Sequence, residues 1–510
     1  MATPVNLAST KQIIDKLWSL PGLKLPLRAT KKLELTGPSD PVVPSSFRIG
    51  TVAQATIACS ALSSAYVHQL RHGRDEPQAV SVNSRHAVLD FKSESWVTLD
   101  GKLTPDIWDP LAGVYKTKDA HIRIHTNFPH HRDIILTTLG IPTRPVPSRD
   151  QVAKAFESWS SQEFEDAATQ AGGCVSKIRS FDEWDAHPHA IYSASDLPLA
   201  LTRIGDAPVW KVPTKLGDMP LAGVRVLDLT RVIAGPVCGC TLAAHGADVI
   251  WVTSPNLPDL PALDIDTSRG KRTIQLDLNN ESDLATFRNL LKDADVLLQS
   301  YRPGALARRG FGPETLAKEY PGIITANLSA YGTDGPWGGR RGFDSLVQAA
   351  TGFNVAEASA FNSSQESPIR ALPVQALDHA AGHLLTLGIN AALARRIQAS
   401  HFNHVLQLEL RKLLGDQEGG AWNVQVSLLG VAYWARSLGR IASVSQGDEI
   451  PPRNIPQAPE IENLLIDVPA EHTQLRALRH AAGMSETPVR VGVAPCTLNS
   501  SQPRWVPRED

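Results

Sequence analysis

The stretch Val224-Arg225-Val226-Leu227-Asp228-Leu229, then Ala234-Gly235-Pro236 and, past a turn at Gly246, Val249-Ile250-Trp251-Val252, decides the fold class. Two short β-branched runs bracket a helical pattern around Leu242 to Ala244, which is the signature of a βαβ unit. The alternation continues. Thr273 to Leu278 reads as a third strand behind Lys271-Arg272, Ser282 to Leu291 as a helix, and Asp295 to Leu298 and Ile323 to Leu328 as further strands. Strands alternating with helices predict an α/β fold whose core is a doubly wound, Rossmann-like, mostly parallel sheet, with ligand at the carboxyl ends of its strands. The first loop carries only Gly235 and Gly239 around Pro236 and lacks G-x-G-x-x-G, so a nicotinamide or flavin cradle is not supported.

The chain has 510 residues, room for about three or four compact units. Fifty Lys+Arg against 52 Asp+Glu give a net charge of −2, which exerts no pull on nucleic acid or an anionic membrane. Five cysteines (Cys59, Cys174, Cys238, Cys240, Cys496) form neither a disulfide framework nor a four-ligand metal signature. No apolar run reaches the roughly 18–20 residues that span a bilayer. The expectation is a soluble, cytoplasmic protein. An acid-poor N-terminus leaves a mitochondrial address open, and the carboxyl end does not match a peroxisomal tripeptide.

Outside the alternating core, Gln54 to Arg71 lies over Asp378 to Arg395, with small residues early, aliphatic residues in the middle and a basic end. Val80-Ser81-Val82 likewise matches Val424-Gln425-Val426, at a spacing about 20 residues longer, so the excess is an insertion at 397–417. This predicts a partial tandem duplication. The parts are an N-terminal segment (1–47), a partial core repeat without a nucleophile (48–95), a small α+β domain (96–200), the core (215–445), and a linker with a returning C-terminal segment (446–510). Within the small domain, His121 to His125 reads as a strand, Arg132 to Leu139, Gln151 to Glu157 and Glu163 to Ala171 as helices, and Val175 to Phe181 as the stretch that follows them. Gly447 to Pro469, rich in proline and without periodicity, reads as linker.

The runs PLAGVRVLDLTRVIAGP, HGADVIWV, GKRTIQLDL, ADVLLQSYRPGALARRGFG, ANLSAYGTDGPW and GFDSLVQAATG, in this order from Pro220, closely resemble the family III CoA-transferases. This is the CaiB/BaiF family, which includes α-methylacyl-CoA racemases. The resemblance implies that Asp378, in PVQALDHAAG, is the nucleophile. Its carboxylate would attack the thioester of an acyl-CoA, and CoA thiolate would reopen the mixed anhydride to give an aspartyl-CoA thioester. Read from the residues alone, Asp378 is a helix cap before it is a nucleophile; the two readings are compatible, since an acid at the positive end of a helix is expected to stay ionised.

The resemblance further implies CoA contacts at Ile233, Ala234, Leu276, Ser300, Tyr301, Arg302, Arg308, Ser329, Ala330 and Tyr331. Arg302 and Arg308 suit phosphate, and Tyr301 suits adenine or pantetheine. Ser300-Tyr301 stands where the family commonly has Asn-Phe. CoA is thus expected as a substrate, with no tightly bound cofactor, and the partners are an acyl-CoA and a carboxylic acid. A racemase needs a second base, and Gly342-Phe343-Asp344 carries phenylalanine where racemases carry histidine, so transfer ranks above racemisation. A catalytically silent CoA-binding homologue is the remaining alternative, favoured if the insertion disrupts the helix after Asp378.

Other clusters point to no metal. Cys238-Gly239-Cys240 offers two sulfurs, and His125, His130 and His131 read as a surface loop. Asp228 reads as structural, and Lys271-Arg272 stay unassigned. Gln54 stands where the second copy has Asp378, and a carboxamide is no comparable nucleophile, so the first copy is expected to be inert. Family members resemble interlocked homodimers. Here either a homodimer or an intrachain pseudo-dimer follows, in the latter case with the small domain of the first copy closing the site of the second.

Overall fold

The computed structural model describes residues 7–208, 217–361, 368–405, 419–442, 444, 447–470, 473–490, 492–494 and 497–508. Its largest sheet has seven strands, in spatial order Arg272–Gln275, Asp248–Thr253, Arg225–Leu229, Val296–Gln299, Ile324–Ser329, Ala421–Ser427 and Ala200–Gly205. The first six run parallel, and the last pairs antiparallel with Ala421–Ser427. These strands are buried on both faces, which is why they read as near-continuous apolar runs. Ala200–Gly205 was expected at the end of the small domain. Its edge position leaves two of its six residues exposed and three half-buried, so no apolar run announced it as part of the core.

Two long helices, Ile49–Arg71 and Ala376–Val405, pack against each other at the centre of the molecule. Their small residues permit close approach, and polar contacts tie them: Ser60 Oγ lies 3.1 Å from His383 Nδ1, and Asn390 Nδ2 donates to Ser63 and Ser64 at 3.0 Å each. A Cβ on Gly382 would stand 2.6 Å from the Ala234 carbonyl, so only glycine lets the helix Ala234–Ala244 seat there. Each long helix is followed by a strand and a shorter helix, Val80–Asn83 with Ser84–Asp90 and Ala421–Ser427 with Leu428–Ser437. The helix bearing Asp378 runs unbroken past Arg396 to Val405, so the extra segment begins as its continuation; residues 406–417 of that segment lie outside the described residues.

The small α+β unit is an antiparallel sheet of Gly113–Lys116, His121–Ile124 and Val175–Lys177. The helices Pro129–Thr138, Arg149–Phe156 and Ser161–Gln170 enclose its own core around Ile122, Ile135, Phe156 and Phe164. The stretch Val175 to Phe181 divides: its strand stops at Lys177, and Ser180 caps a short helix, Phe181–Asp185. Gly447 to Pro469 is not all linker. It contains the helix Pro459–Glu462 and the strand Leu465–Val468, which pairs with Leu475–Leu478, itself paired with Thr98–Leu99. Frequent prolines hid a short strand whose pairing is with residues read as separate segments. The returning segment crosses the N-terminal half, where Ala482–Met484 pairs with Val80–Val82, and then borders the sheet edge, where Ser501 N donates to Thr273 O at 3.0 Å.

Candidate active site

A cavity of about 530 Å³ opens at the carboxyl ends of the parallel strands. Its lining gathers Ile233 and Ala234 after the first core strand, Leu276 after the third, Ser300, Tyr301 and Arg302 after the fourth, Ser329 and Ala330 at the end of the fifth, and Asp378. Two expected contacts lie elsewhere. Arg308 sits on the 3₁₀ turn Ala307–Arg309, and Arg309 is the residue of that turn that faces the cavity, with its Nη1 donating to Leu278 O at 3.3 Å. Tyr331 is 1% exposed, set edge-on to Trp337 at 5.0 Å, and its carbonyl lies 2.8 Å from His189 Nε2.

Asp378 stands in the first turn of its helix and is 7% exposed. The capping role belongs to another acid. Asp344 Oδ2 accepts the backbone N–H of Leu377 at 2.8 Å and of Asp378 at 3.0 Å, while Gln348 Nε2 donates to Asp344 Oδ1. Gln348 is fixed in turn, since its Oε1 accepts from Leu372 N at 3.0 Å. Two N–H groups at the helix start are thereby satisfied by a side chain from the first turn of a preceding helix, Asp344–Ala350, and the Asp378 carboxyl is left to the cavity. Burial, reinforced by the negative charges of Asp344 and Glu94, pushes the Asp378 carboxyl well above the usual carboxylate range. Burial raises Asp344 to about 6. Loss of water and two like charges therefore work against the helix terminus, which was expected to favour the ionised form.

Of the three histidines read as a surface loop, His130 is exposed, at the start of the helix Pro129–Thr138, whereas His125 and His131 are buried. His125 is buried and lies face to face with Phe343 at 3.7 Å, and Trp108 meets His125 edge-on at 6.2 Å. His131 Nδ1 lies 3.4 Å from Cys174 Sγ, and both residues line the cavity with Phe128 and Phe343. Residues 121 to 131 carry too few aliphatics to announce their burial; aromatic stacking, not an apolar stripe, holds them. Phe128, His131 and Cys174 belong to the small α+β unit, so one chain supplies both walls of the cavity. Arg231, Arg302 and Arg341 also face it, and none has a carboxylate at ion-pair distance among the described residues.

Asp228 is structural, as expected. It pairs with Lys271 Nζ at 2.8 Å, both fully buried, and Lys271 also donates to Pro236 O at 3.0 Å, tying strand to helix. Arg272 pairs with Asp248 at 2.7 Å. Gln54, the counterpart of Asp378, donates to the carbonyls of Thr36 and Val82 at 2.9 Å each. Among the described residues no group of three or more His, Cys, Asp or Glu could hold a metal ion, and no helix is long and apolar enough to cross a membrane.

A mostly parallel sheet with this cavity at its strand ends is the setting in which comparison with known proteins becomes informative. Residues 221–406 match the model of CoA-transferase family III. Among its relatives, a probable fatty acyl-CoA transferase, Rv3272, of Mycobacterium tuberculosis is 36% identical over 36% of this chain and 49% of its own length. The acetyl-coenzyme A transferase nodX of Hypoxylon pulicicidum is 27% identical over 80% of this chain and 72% of its own length. The alpha-methylacyl-CoA racemase of Mus musculus is 35% identical over 36% of this chain and 45% of its own length. The chain thus spans about half the length of the first of these relatives.

Proposed function

We propose that the protein is an acyl-CoA:carboxylate CoA-transferase working through an aspartyl-CoA thioester on Asp378. The observation that carries this reading is the position of Asp378, a buried carboxyl facing a cavity at the strand ends of a family III CoA-transferase region. CoA is read as entering along Leu276, Ser300, Tyr301 and Arg302, over a core read as doubly wound and Rossmann-like. Its thioester then approaches Asp378 past Ile233, Ala234 and Ala330.

In this reading Asp378 reacts as its carboxylate, its proton passing to solvent before the acyl-CoA seats, and its oxygen adds to the thioester carbonyl. The C–S bond breaks, CoA leaves as thiolate, and an acyl-aspartyl anhydride remains. The thiolate then attacks the aspartyl carbonyl, releasing the donor acid as a carboxylate and leaving CoA on Asp378; the acceptor acid reverses the sequence. A carboxylate is a weak nucleophile in water, so position and dryness carry much of the rate. Asp344 supplies position by fixing the two N–H groups at the start of the helix. The Phe128, His131 and Phe343 wall supplies dryness.

We also infer an intrachain pseudo-dimer, supported by the small unit's presence on the cavity wall of the same chain. Racemisation is disfavoured because Phe343 has no proton to exchange. The test is a transfer assay with a panel of acyl-CoA donors and carboxylate acceptors. Asp378→Ala is expected to lose turnover by a factor of a thousand or more, and turnover unchanged in that variant contradicts the reading.

A further inference from the structure

We propose that Glu94, from the half of the chain without a nucleophile, sets the ionisation of Asp378 from behind and is a positioning residue for the reaction. The inference rests on the reading of Asp378 as nucleophile. Glu94 lies on the 3₁₀ turn Ser93–Trp96 and is 6% exposed. Its Oε2 stands 3.9 Å from Nε2 of His379, the residue after Asp378, and that nitrogen has no hydrogen-bond partner. Phe91 stacks on the His379 ring at 5.1 Å and fixes it. Glu94 therefore approaches the first turn of the nucleophile helix on the side away from the substrate cavity.

That side has a cavity of its own, of about 220 Å³, lined by Glu94, Lys92, Asp106 and Arg453, and by Val374 and Gln375 just before the helix. Protons can therefore reach Glu94 while an acyl-CoA occupies the front. The charged or titratable groups facing Glu94 are Asp378 and His379 on the nucleophile helix, Asp266 on the helix Pro261–Thr267, Lys92 on its own segment, Asp106 across the same cavity and Arg453 from the C-terminal segment. Arg453 is already committed to the carbonyls of Ser95, Thr104 and Pro105. Burial raises Glu94 to about 7, in the range where it titrates under ordinary assay conditions. The two charges that act on Asp378 are both acidic, Asp344 at the helix start and Glu94 beside His379. Like charges at close quarters resist joint ionisation, so a charged Glu94 keeps the proton on Asp378 and a neutral one lets it go.

The test is the pH profile of kcat/KM for Glu94→Gln, which keeps shape and removes charge. The ratio of activity at pH 6 to activity at pH 9 is expected to rise at least threefold over the parent, because Asp378 ionises at lower pH. Glu94→Asp, which restores a charge, is expected to return the ratio towards the parent value. A Glu94→Gln profile parallel to the parent's overturns the proposal, including one uniformly lowered by a merely structural defect. Should Glu94→Gln fail to fold, Glu94→Met, neutral and of similar length, gives the same comparison. Asp378→Ala separates the two claims. Lost transfer in that variant beside a parallel Glu94→Gln profile refutes the role of Glu94 alone, whereas transfer retained in it refutes the nucleophile.

Discussion

Asp344 accepts the backbone N–H of Asp378 at 3.0 Å and so holds the start of the helix Ala376–Val405 from the first turn of a different helix, Asp344–Ala350. Asp344→Ala leaves two buried N–H groups without a partner, at a cost of about 1–3 kcal/mol. A denaturant titration should show that loss, and the transfer rate should fall tenfold or more. Asp344→Asn, whose Oδ1 still accepts, should retain most of the stability.

Lys271 and Asp228 form a fully buried pair beneath the cavity. Lys271→Met strands a carboxylate that no solvent reaches, and an equilibrium melt should record a loss of about 3–5 kcal/mol. Adding Asp228→Asn, which removes the stranded charge, should recover a substantial part of it.

His125 is held down to about 3 by burial, below its ordinary value of 6.5. Its folded form stays neutral while the unfolded form takes up a proton, so stability is lost as pH falls below 6.5 and continues to fall towards the folded value. His125→Phe removes that linkage and preserves the stack on Phe343. Relative to the parent, it should gain about 2 kcal/mol between pH 8 and pH 5, measured as a difference in denaturant midpoints.

A fragment of residues 215–510 lacks both the helix Ile49–Arg71, which buries one side of the helix Ala376–Val405, and the wall of Phe128, His131 and Cys174. It should be insoluble or inactive. Full transfer activity in that fragment would refute the intrachain pseudo-dimer.

The parallel strands were legible because burial on both faces makes each a continuous apolar run, and motif order around PVQALDHAAG singled out Asp378, which lines the cavity. The partners of Asp378 were harder to see. Asp344 stood in the quoted Gly342-Phe343-Asp344, but its bond runs to a helix 34 residues on. Glu94 approaches from nearly 300 residues away, a distance over which local periodicity says nothing. The exchange of Arg308 for Arg309 reflects one residue of rotation on a short 3₁₀ turn. The buried histidines were misread because stacking between rings leaves no alternating pattern in the chain.

The most direct measurement is peptide mass spectrometry of the protein incubated with an acyl-CoA and quenched in acid. A CoA-sized mass on the peptide containing Asp378, absent from Asp378→Ala and released by an acceptor carboxylate, is the predicted result. Turnover that proceeds while that peptide stays unmodified, or an unchanged rate in Asp378→Ala, would contradict the account.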